Sequence, residues 1–291
     1  MLSLHTNAAA LSSQNAVGNT QKALTTSLTR LGTGFRVNSA MDDAAGLQIA
    51  VRLEAQSRGM AVAQKNTQNG ISMMQTAEGA FTELTNVLLR MKDLSTEAFT
   101  ASTTADDKTA LQAEFDALGQ ELGNIIKSTS FGGQKLFSDG TTVDGSGGLL
   151  SAAITFQIGA SAGETMAVNT ATSLTAIGTS LDAVSTNYAT AAAGVELTTG
   201  TNAILTSIDT ALKDVGTMRA QLGASSNRLE HVYNNLGNMR TNTIASRGRI
   251  MDVDYAAETS NSTSKQLLMQ AGTSALKQSS SLSQLVISLM Q

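Results

Sequence analysis

Catalysis and metal binding depend on a few residue types at short spacing, and those types are scarce in this chain. There are 2 histidines, His5 and His231, and no cysteine. The histidines are too far apart in sequence to form a local metal pair, and no His-Glu-x-x-His occurs. The missing cysteines exclude disulfides, thiolate ligands and thiolate nucleophiles together. No phosphate-binding Gly-rich loop, Gly-x-Ser-x-Gly elbow or dinucleotide fingerprint is present. Two acidic pairs remain, Asp42-Asp43 and Asp106-Asp107. Each stands where a helix begins, and the backbone dipole favours negative charge there. His231 flanks an apolar stripe, and the methionines at helical spacing are core fillers. The expectation is a protein without enzymatic activity, metal or cofactor.

The elements around those residues are strongly specified. Proline is absent from the 291 residues, so nothing removes a donor or clashes inside a long helix. Aromatic residues make up 3% and tryptophan is missing, which suits thin helix–helix seams of Ala, Leu, Ile, Val and Met. From Ile204 the positions Ile208, Ala211, Val215, Met218, Leu222, Ser225, Leu229, Val232, Leu236 and Met239 follow in alternating steps of four and three. All but Ser225 are apolar, and a mean step of 3.5 residues keeps one stripe facing a partner helix. Met74, Ala77, Phe81, Leu84, Leu88 and Met91 form a second stripe. Leu111, Phe115, Leu118, Leu122 and Ile125 form a third, after the polar break "TASTTADDK". The predicted fold class is mainly α, an elongated antiparallel helical bundle or coiled coil from both chain ends with a small β-hairpin region.

Residues 131–200 depart from this pattern, and glycine concentrates there. In "AITFQIGASAGETMAV", Ile154, Phe156 and Ile158 alternate, then Met166 and Val168, which predicts two short strands around a Gly-rich turn. We read about 131–170 as β-hairpin decoration and 171–200 as a short variable exposed segment. The rod-like helical bundle then comprises 41–170 and 201–250, and 1–40 with 251–291 form a terminal coiled-coil domain. At one end Leu24, Leu28, Leu31 and Phe35 mark an apolar stripe. At the other Leu282, Leu285, Val286 and Leu289 do. Each stripe is narrow, and a lone helix of this kind is marginal in water. These ends must bury their stripes against each other or against other molecules.

The stretch "RLGTGFRVNSAMDDAAGLQIA" (30–50) breaks a helix and restarts it. Gly32 and Gly34 can take the left-handed conformation that closes a helix, Asn38 or Ser39 can cap the next one, and Ser39-x-x-Asp42 approximates a capping box. "ASRGRIMDVDYAAE" (245–258) places Arg247 and Arg249 beside Asp252 and Asp254. If the ends lie side by side, Arg36, Arg247 and Arg249 face the aspartates Asp42, Asp43, Asp252 and Asp254 across an inter-domain joint. The charges agree: 1–40 hold Lys22, Arg30 and Arg36 and no acid, whereas 251–291 hold more acids than bases. A net charge of −4 gives no basic footprint for nucleic acid. No apolar run approaches the roughly 20 residues that span a bilayer, so membrane insertion is not expected. The opening residues lack a basic segment followed by an apolar run, so neither is a Sec signal peptide.

With "NTQNGISMMQTAEGAFTEL" after it, the 30–50 stretch resembles the N-terminal signature of bacterial flagellin. "NRLEHVYNNLGNMRTNTIASRGRIMDVDYAAETS" and "QLLMQAGTSALKQ" resemble its C-terminal signature. The match covers about residues 2–140 and 200–291, and "RLGTG" and "RMKDLST" resemble the lateral, swarming-type members. The resemblance implies a structural subunit that self-assembles into the extracellular flagellar filament for motility. It implies export through the flagellar type III channel and termini that fold on polymerisation. Its partners would be further copies of itself, an export chaperone, the filament cap and hook–filament junction proteins. Positions Arg90, Leu94 and Glu114 match the surface that the host receptor TLR5 binds, which is also a subunit contact. The apolar tail with Leu285, Val286, Leu289 and Met290 matches the segment that a cytosolic inflammasome sensor recognises. The family's large outer domains are nearly absent. The nearest alternative is a hook–filament junction protein, whose relatives place proline around the Asp-Asp motif where this chain has "SAMDDAAG". A secreted helical effector is a more distant one.

Overall fold

The computed structural model describes residues 7–289, with side chains from 7 to 281. Among the described residues there are six α-helices: α1 (Ala8–Thr33), α2 (Ala44–Ala98), α3 (Ala105–Ser128), α4 (Ala171–Asp182), α5 (Ala203–Met251) and α6 (Tyr255–Leu289). Four two- to four-residue strands, β1 (Ser130–Phe131), β2 (Gln134–Lys135), β3 (Ile154–Gln157) and β4 (Thr165–Val168), pair antiparallel as β1–β2 and β3–β4. The chain forms two compact units, one of residues 1–57 with 241–291 and one of residues 58–240. The first is larger than the 1–40 with 251–291 expected from sequence. The reason is packing: Leu47, Ala50, Ile250 and Met251 belong to the same apolar cluster as Phe35 and Val37.

In the unit of residues 58–240 the heptad stripes are the core. Met74, Ala77, Phe81, Leu84, Leu88 and Met91 of α2 are fully buried, and so are Ile208, Ala211, Met218, Leu222 and Leu229 of α5. The stripe weakens at Ser225 and Val232, which are half-buried, and ends at Met239, which is exposed. Phe81 meets Phe137 with ring centroids 4.7 Å apart. The start of α3 is fixed by a capping box, in which Thr104 accepts from the Asp107 amide and Asp107 accepts from the Thr104 amide. The acidic pair there serves the helix start, as its position suggested.

Two expectations need correction in this unit. The buried face of α3 carries Gln112, Phe115, Gly119, Leu122 and Ile126, so Leu111, Leu118 and Ile125 are only half-buried flanks. Segment 171–200 is not an exposed excursion. Leu174, Ile177 and Leu181 of α4, then Val184, Ser185, Asn187, Tyr188 and Leu197, are all buried. Close glycine contacts account for both: a Cβ at Gly123 would lie 2.5 Å from the Tyr188 carbonyl oxygen, which seats that backbone on α3, and one at Gly178 of α4 would lie 2.6 Å from the Asp144 carbonyl carbon. The Tyr188 hydroxyl donates to the Val143 carbonyl at 2.5 Å, and burial pushes its phenol well above the ordinary tyrosine value. The expected strand alternation holds in β4, where Met166 and Val168 point inward opposite Phe156 and Ile154.

Candidate functional site

Two features of the unit of residues 1–57 with 241–291 stand out: the joint where α1 ends and α6 begins, and the face that those two helices present. At the joint Gly34, at φ 76°, closes α1 and donates its N–H to the Arg30 carbonyl at 2.9 Å. The positive φ favours glycine, and a Cβ would also lie 2.9 Å from the Tyr255 hydroxyl. Gly32 lies within α1 and closes nothing. The chain then pairs across the joint: the Arg36 N–H donates to the Met251 carbonyl at 2.6 Å and the Val253 N–H to the Gly34 carbonyl at 3.0 Å. Phe35 and Asp252 are the residues opposite each other in this short antiparallel bridge. Beneath it Val37, Ala50 and Met251 are buried, with Phe35, Leu47 and Ile250 packed against them.

Asp42, Asp43 and Asp254 each accept from backbone amides at the joint. Asp42 accepts from the Ser39 and Asn38 amides at 2.9 and 3.1 Å, and those hydrogen bonds hold its carboxyl below the usual aspartate value. Asp43, not Asn38 or Ser39, caps α2 by accepting from the Gly46 amide at 2.7 Å. Asp254 caps α6 through the Ala256 and Ala257 amides at 3.0 and 3.2 Å. The expected arginine–aspartate facing is therefore corrected residue by residue. Arg36 donates to the Ile250 carbonyl at 2.8 Å, Arg247 pairs with Glu54 at 3.0 Å, and Arg249 donates to the Ser246 hydroxyl at 2.9 Å. The arginine that does reach a joint aspartate is Arg30, 3.8 Å from Asp42 and 3.9 Å from Glu258.

The pair α1–α6 is inverted relative to an ordinary amphipathic pair. The buried residues of α1 are Leu24 and Ser27, and those of α6 are Glu258 and Ser262, so three of the four buried seam residues are polar, with Val17, Leu31, Met269 and Leu276 only half-buried along it. Lys265 Nζ donates to Ser27 Oγ at 2.8 Å on that seam. Large apolar side chains point outward instead: Leu11 is 60% exposed, Leu28 50%, Leu267 62% and Leu268 59%. Of the expected N-terminal stripe, Leu24 is buried, Leu31 and Phe35 are half-buried, and Leu28 faces out. Its C-terminal counterpart, Leu282, Leu285, Val286 and Leu289, lies outside the described side chains, as does His5. Glu54, Glu258, Lys265 and Ser27 were missed from sequence. The signal was present in the step of three from Leu24 to Ser27, but leucine spacing drew the stripe through Leu28.

In the unit of residues 58–240 Arg90 and Glu114 meet, with Arg90 Nη2 2.6 Å from Glu114 Oε1, and both side chains are about half exposed. Leu94, expected beside them, is 1% exposed and belongs to the core. His231 is exposed, as a flank position requires. Among the described residues no cluster of His, Asp and Glu could hold a metal ion, and no helix is long and apolar enough to cross a membrane. The unit of residues 1–57 with 241–291 thus carries a capped, hydrogen-bonded joint and leucines exposed on both terminal helices.

Comparison with known proteins gives the family context. Residues 4–142 match the family model described as the bacterial flagellin N-terminal helical region, and residues 205–290 match the bacterial flagellin C-terminal helical region. Polar flagellin B/D of Vibrio parahaemolyticus is 46% identical over 165 residues, 57% of this chain but 41% of that protein. Flagellin A of Vibrio anguillarum is 33% identical over the whole length of both chains. Among solved structures, Bacillus cereus flagellin is 28% identical, covering 59% of this chain and 88% of that one at a TM-score of 0.47.

Proposed function

This chain belongs to the bacterial flagellin family, and from that premise we propose that it is a non-enzymatic structural subunit whose copies polymerise into the extracellular flagellar filament. The observation that carries the reading is the inverted terminal pair. Fully burying a leucine side chain is worth about 1.5–3 kcal/mol, and Leu11, Leu28, Leu267 and Leu268 forgo most of that in a single copy. Leucines exposed on both terminal helices are apolar surface that further copies of the chain, carrying the same residues, can cover. Stability gained only from neighbours is lost on dilution, so the terminal helices order fully only in the polymer.

The remaining assignments follow the same premise. Export through the flagellar type III channel, with help from an export chaperone, delivers the subunit to a filament cap, and hook–filament junction proteins start the polymer. Arg90 and Glu114 are the exposed groups that the animal receptor TLR5 would meet, with the buried Leu94 supporting the helix beneath them. The absence of proline around "SAMDDAAG" favours filament subunit over junction protein.

The test is seeded growth. Protein heated to monomer, cooled and mixed with short filament fragments should elongate them, as seen by electron microscopy. The double variant Leu267→Ser, Leu268→Ser, whose side chains are exposed in one copy, should keep the monomer's helix content and fail to elongate. Growth at the unaltered rate would remove these leucines from the mechanism.

A further inference from the structure

We infer that buried polar rungs between α1 and α6, centred on Ser27–Lys265 and Arg30–Glu258, are a register lock that selects one alignment of the two terminal helices. This goes beyond the filament reading, because it concerns how the two terminal helices of one chain align rather than how copies meet.

Along α1 a buried or half-buried line runs through Ala10, Ser13, Val17, Thr20, Leu24, Ser27 and Leu31 in steps of three and four, flanked by half-buried Ala23 and Arg30. The line along α6 runs through Glu258, Ser262, Lys265, Met269, Gly272, Leu276 and Ser279, again in steps of four and three. Both are heptad seams, and a heptad seam looks nearly the same after a slip of seven residues. Small residues do little to resist such a slip. Ala10, Ser13, Thr20, Ser27, Ser262, Gly272 and Ser279 make seven of the fourteen positions, so shape complementarity is weakly selective here.

The backbone bridge at the joint holds one end of the pair, and polar contacts along the seam carry the alignment away from it. Lys265 Nζ donates to Ser27 Oγ at 2.8 Å, and Ser27 is fully buried. Glu258, 7% exposed, faces Arg30 at 3.9 Å, and Arg30 also faces Asp42 at 3.8 Å. Near the far end the Asn7 amide donates to the Ser279 carbonyl at 3.0 Å. Gly272 sets the fourth level, since a Cβ there would lie 2.7 Å from Val17. A slip of one heptad would set Lys265 near Thr20 or beyond the end of α1, and would strip Glu258 of its cation. A buried charge left without its partner is far more costly than the intact pair is stabilising. These rungs therefore act by penalising wrong alignments, as single polar seam residues do in coiled coils.

The absence of native cysteine lets disulfides report the alignment. The Val17–Gly272 level places Thr20 beside Met269, and a heptad slip would bring Ser262 or Leu276 there. Three variants, Thr20→Cys with Met269→Cys, Ser262→Cys or Leu276→Cys, are oxidised in seeded filaments, and the intramolecular product is read on non-reducing gels. The Met269 pair should exceed each slipped pair by about tenfold, the ratio set by about 1.4 kcal/mol. In a Lys265→Met, Glu258→Gln background, which keeps side-chain volume and removes both rungs, the slipped products should rise to comparable yield. Lys265→Arg keeps a donor for Ser27 and should retain the tenfold ratio. Equal yields in the unaltered background, an unchanged ratio in the double variant, or slipping in Lys265→Arg would each overturn the lock. If the protein does not elongate seeds, the filament reading fails, and the same ratio in unassembled protein still decides the lock.

Discussion

At the scale of single residues, the side chains that organise this protein are carboxylates accepting backbone amides. Asp42, Asp43, Asp107 and Asp254 do this at helix starts, and Glu196 does it in the loop after α4. Glu196 accepts from the Thr186 amide at 2.8 Å and the Thr186 hydroxyl at 2.9 Å, and from the Gln112 amide group at 2.8 Å. Gln112 in turn accepts from the Leu197 amide at 2.6 Å and donates to Asp116 at 2.7 Å, while Asp116 accepts from the Gly194 amide at 3.0 Å. Partial burial raises the Glu196 carboxyl, but the hydrogen bonds to its ionised form outweigh that and leave it below the ordinary glutamate value. A depressed carboxyl stabilises the fold above the unfolded value, and the contribution fades as pH falls through the folded one. The clasp should thus persist at neutral pH and open only below the ordinary glutamate range. Amide exchange of Thr186, Gly194 and Leu197 followed against pH would show this, and Glu196→Gln should exchange faster at neutral pH without the acid transition. Exchange that ignores both pH and the substitution would show that the carboxylate holds nothing.

At the scale of elements, the seam of α2 carries the unit of residues 58–240, and Phe81 is its largest side chain, fully buried against Phe137. Phe81→Ala should destabilise that unit by about 3–5 kcal/mol, lost transfer energy plus the cavity left behind. Urea unfolding should show a lower midpoint with an unchanged slope. This seam and that of α5 were legible because nothing competes with heptad spacing over so many turns. On α3 the heptad reading was right at Phe115 and Leu122 and one residue off around them, since Gly119 and Gly123 open a face that a second chain segment occupies. Segment 171–200 was misread for a related reason. Leu174, Ile177, Leu181, Val184 and Tyr188 do follow in steps of three and four, but Ser, Thr, Ala and Gly between them dilute the apolar signal. At the joint the sequence reading set arginines against aspartates, whereas Arg247 pairs with Glu54 and the arginine facing Asp42 is Arg30. Capping types can be read from spacing, whereas which amide each carboxylate reaches depends on the bridge between Phe35 and Asp252.

At the scale of the whole molecule, the two units differ in what completes them. The buried clusters of residues 58–240 are built from that unit's own side chains, from Met60 and Leu236 to Phe81 and Met218. The other unit has the small cluster around Val37 and a terminal pair whose buried residues are mostly polar and whose Leu11, Leu28, Leu267 and Leu268 are exposed. Periodicity could show that the terminal stripes are narrow, yet no single chain's pattern says whether a leucine meets its own partner helix or another copy. Removing residues 1–33 separates the two kinds of stability. It deletes α1, takes away the groups facing Glu258 and Lys265, and leaves the side chains of residues 58–240 untouched. The truncated protein should lose helix signal from α1 and, with its seam gone, from much of α6. The cooperative unfolding of residues 58–240 should keep its midpoint, because its buried apolar area is unchanged. Seeds should gain no length from it at any concentration that supports growth of the full chain. Filaments formed by the truncated protein would place the assembly contacts outside the terminal helices, and a lowered midpoint would show that the units do not stand on separate cores.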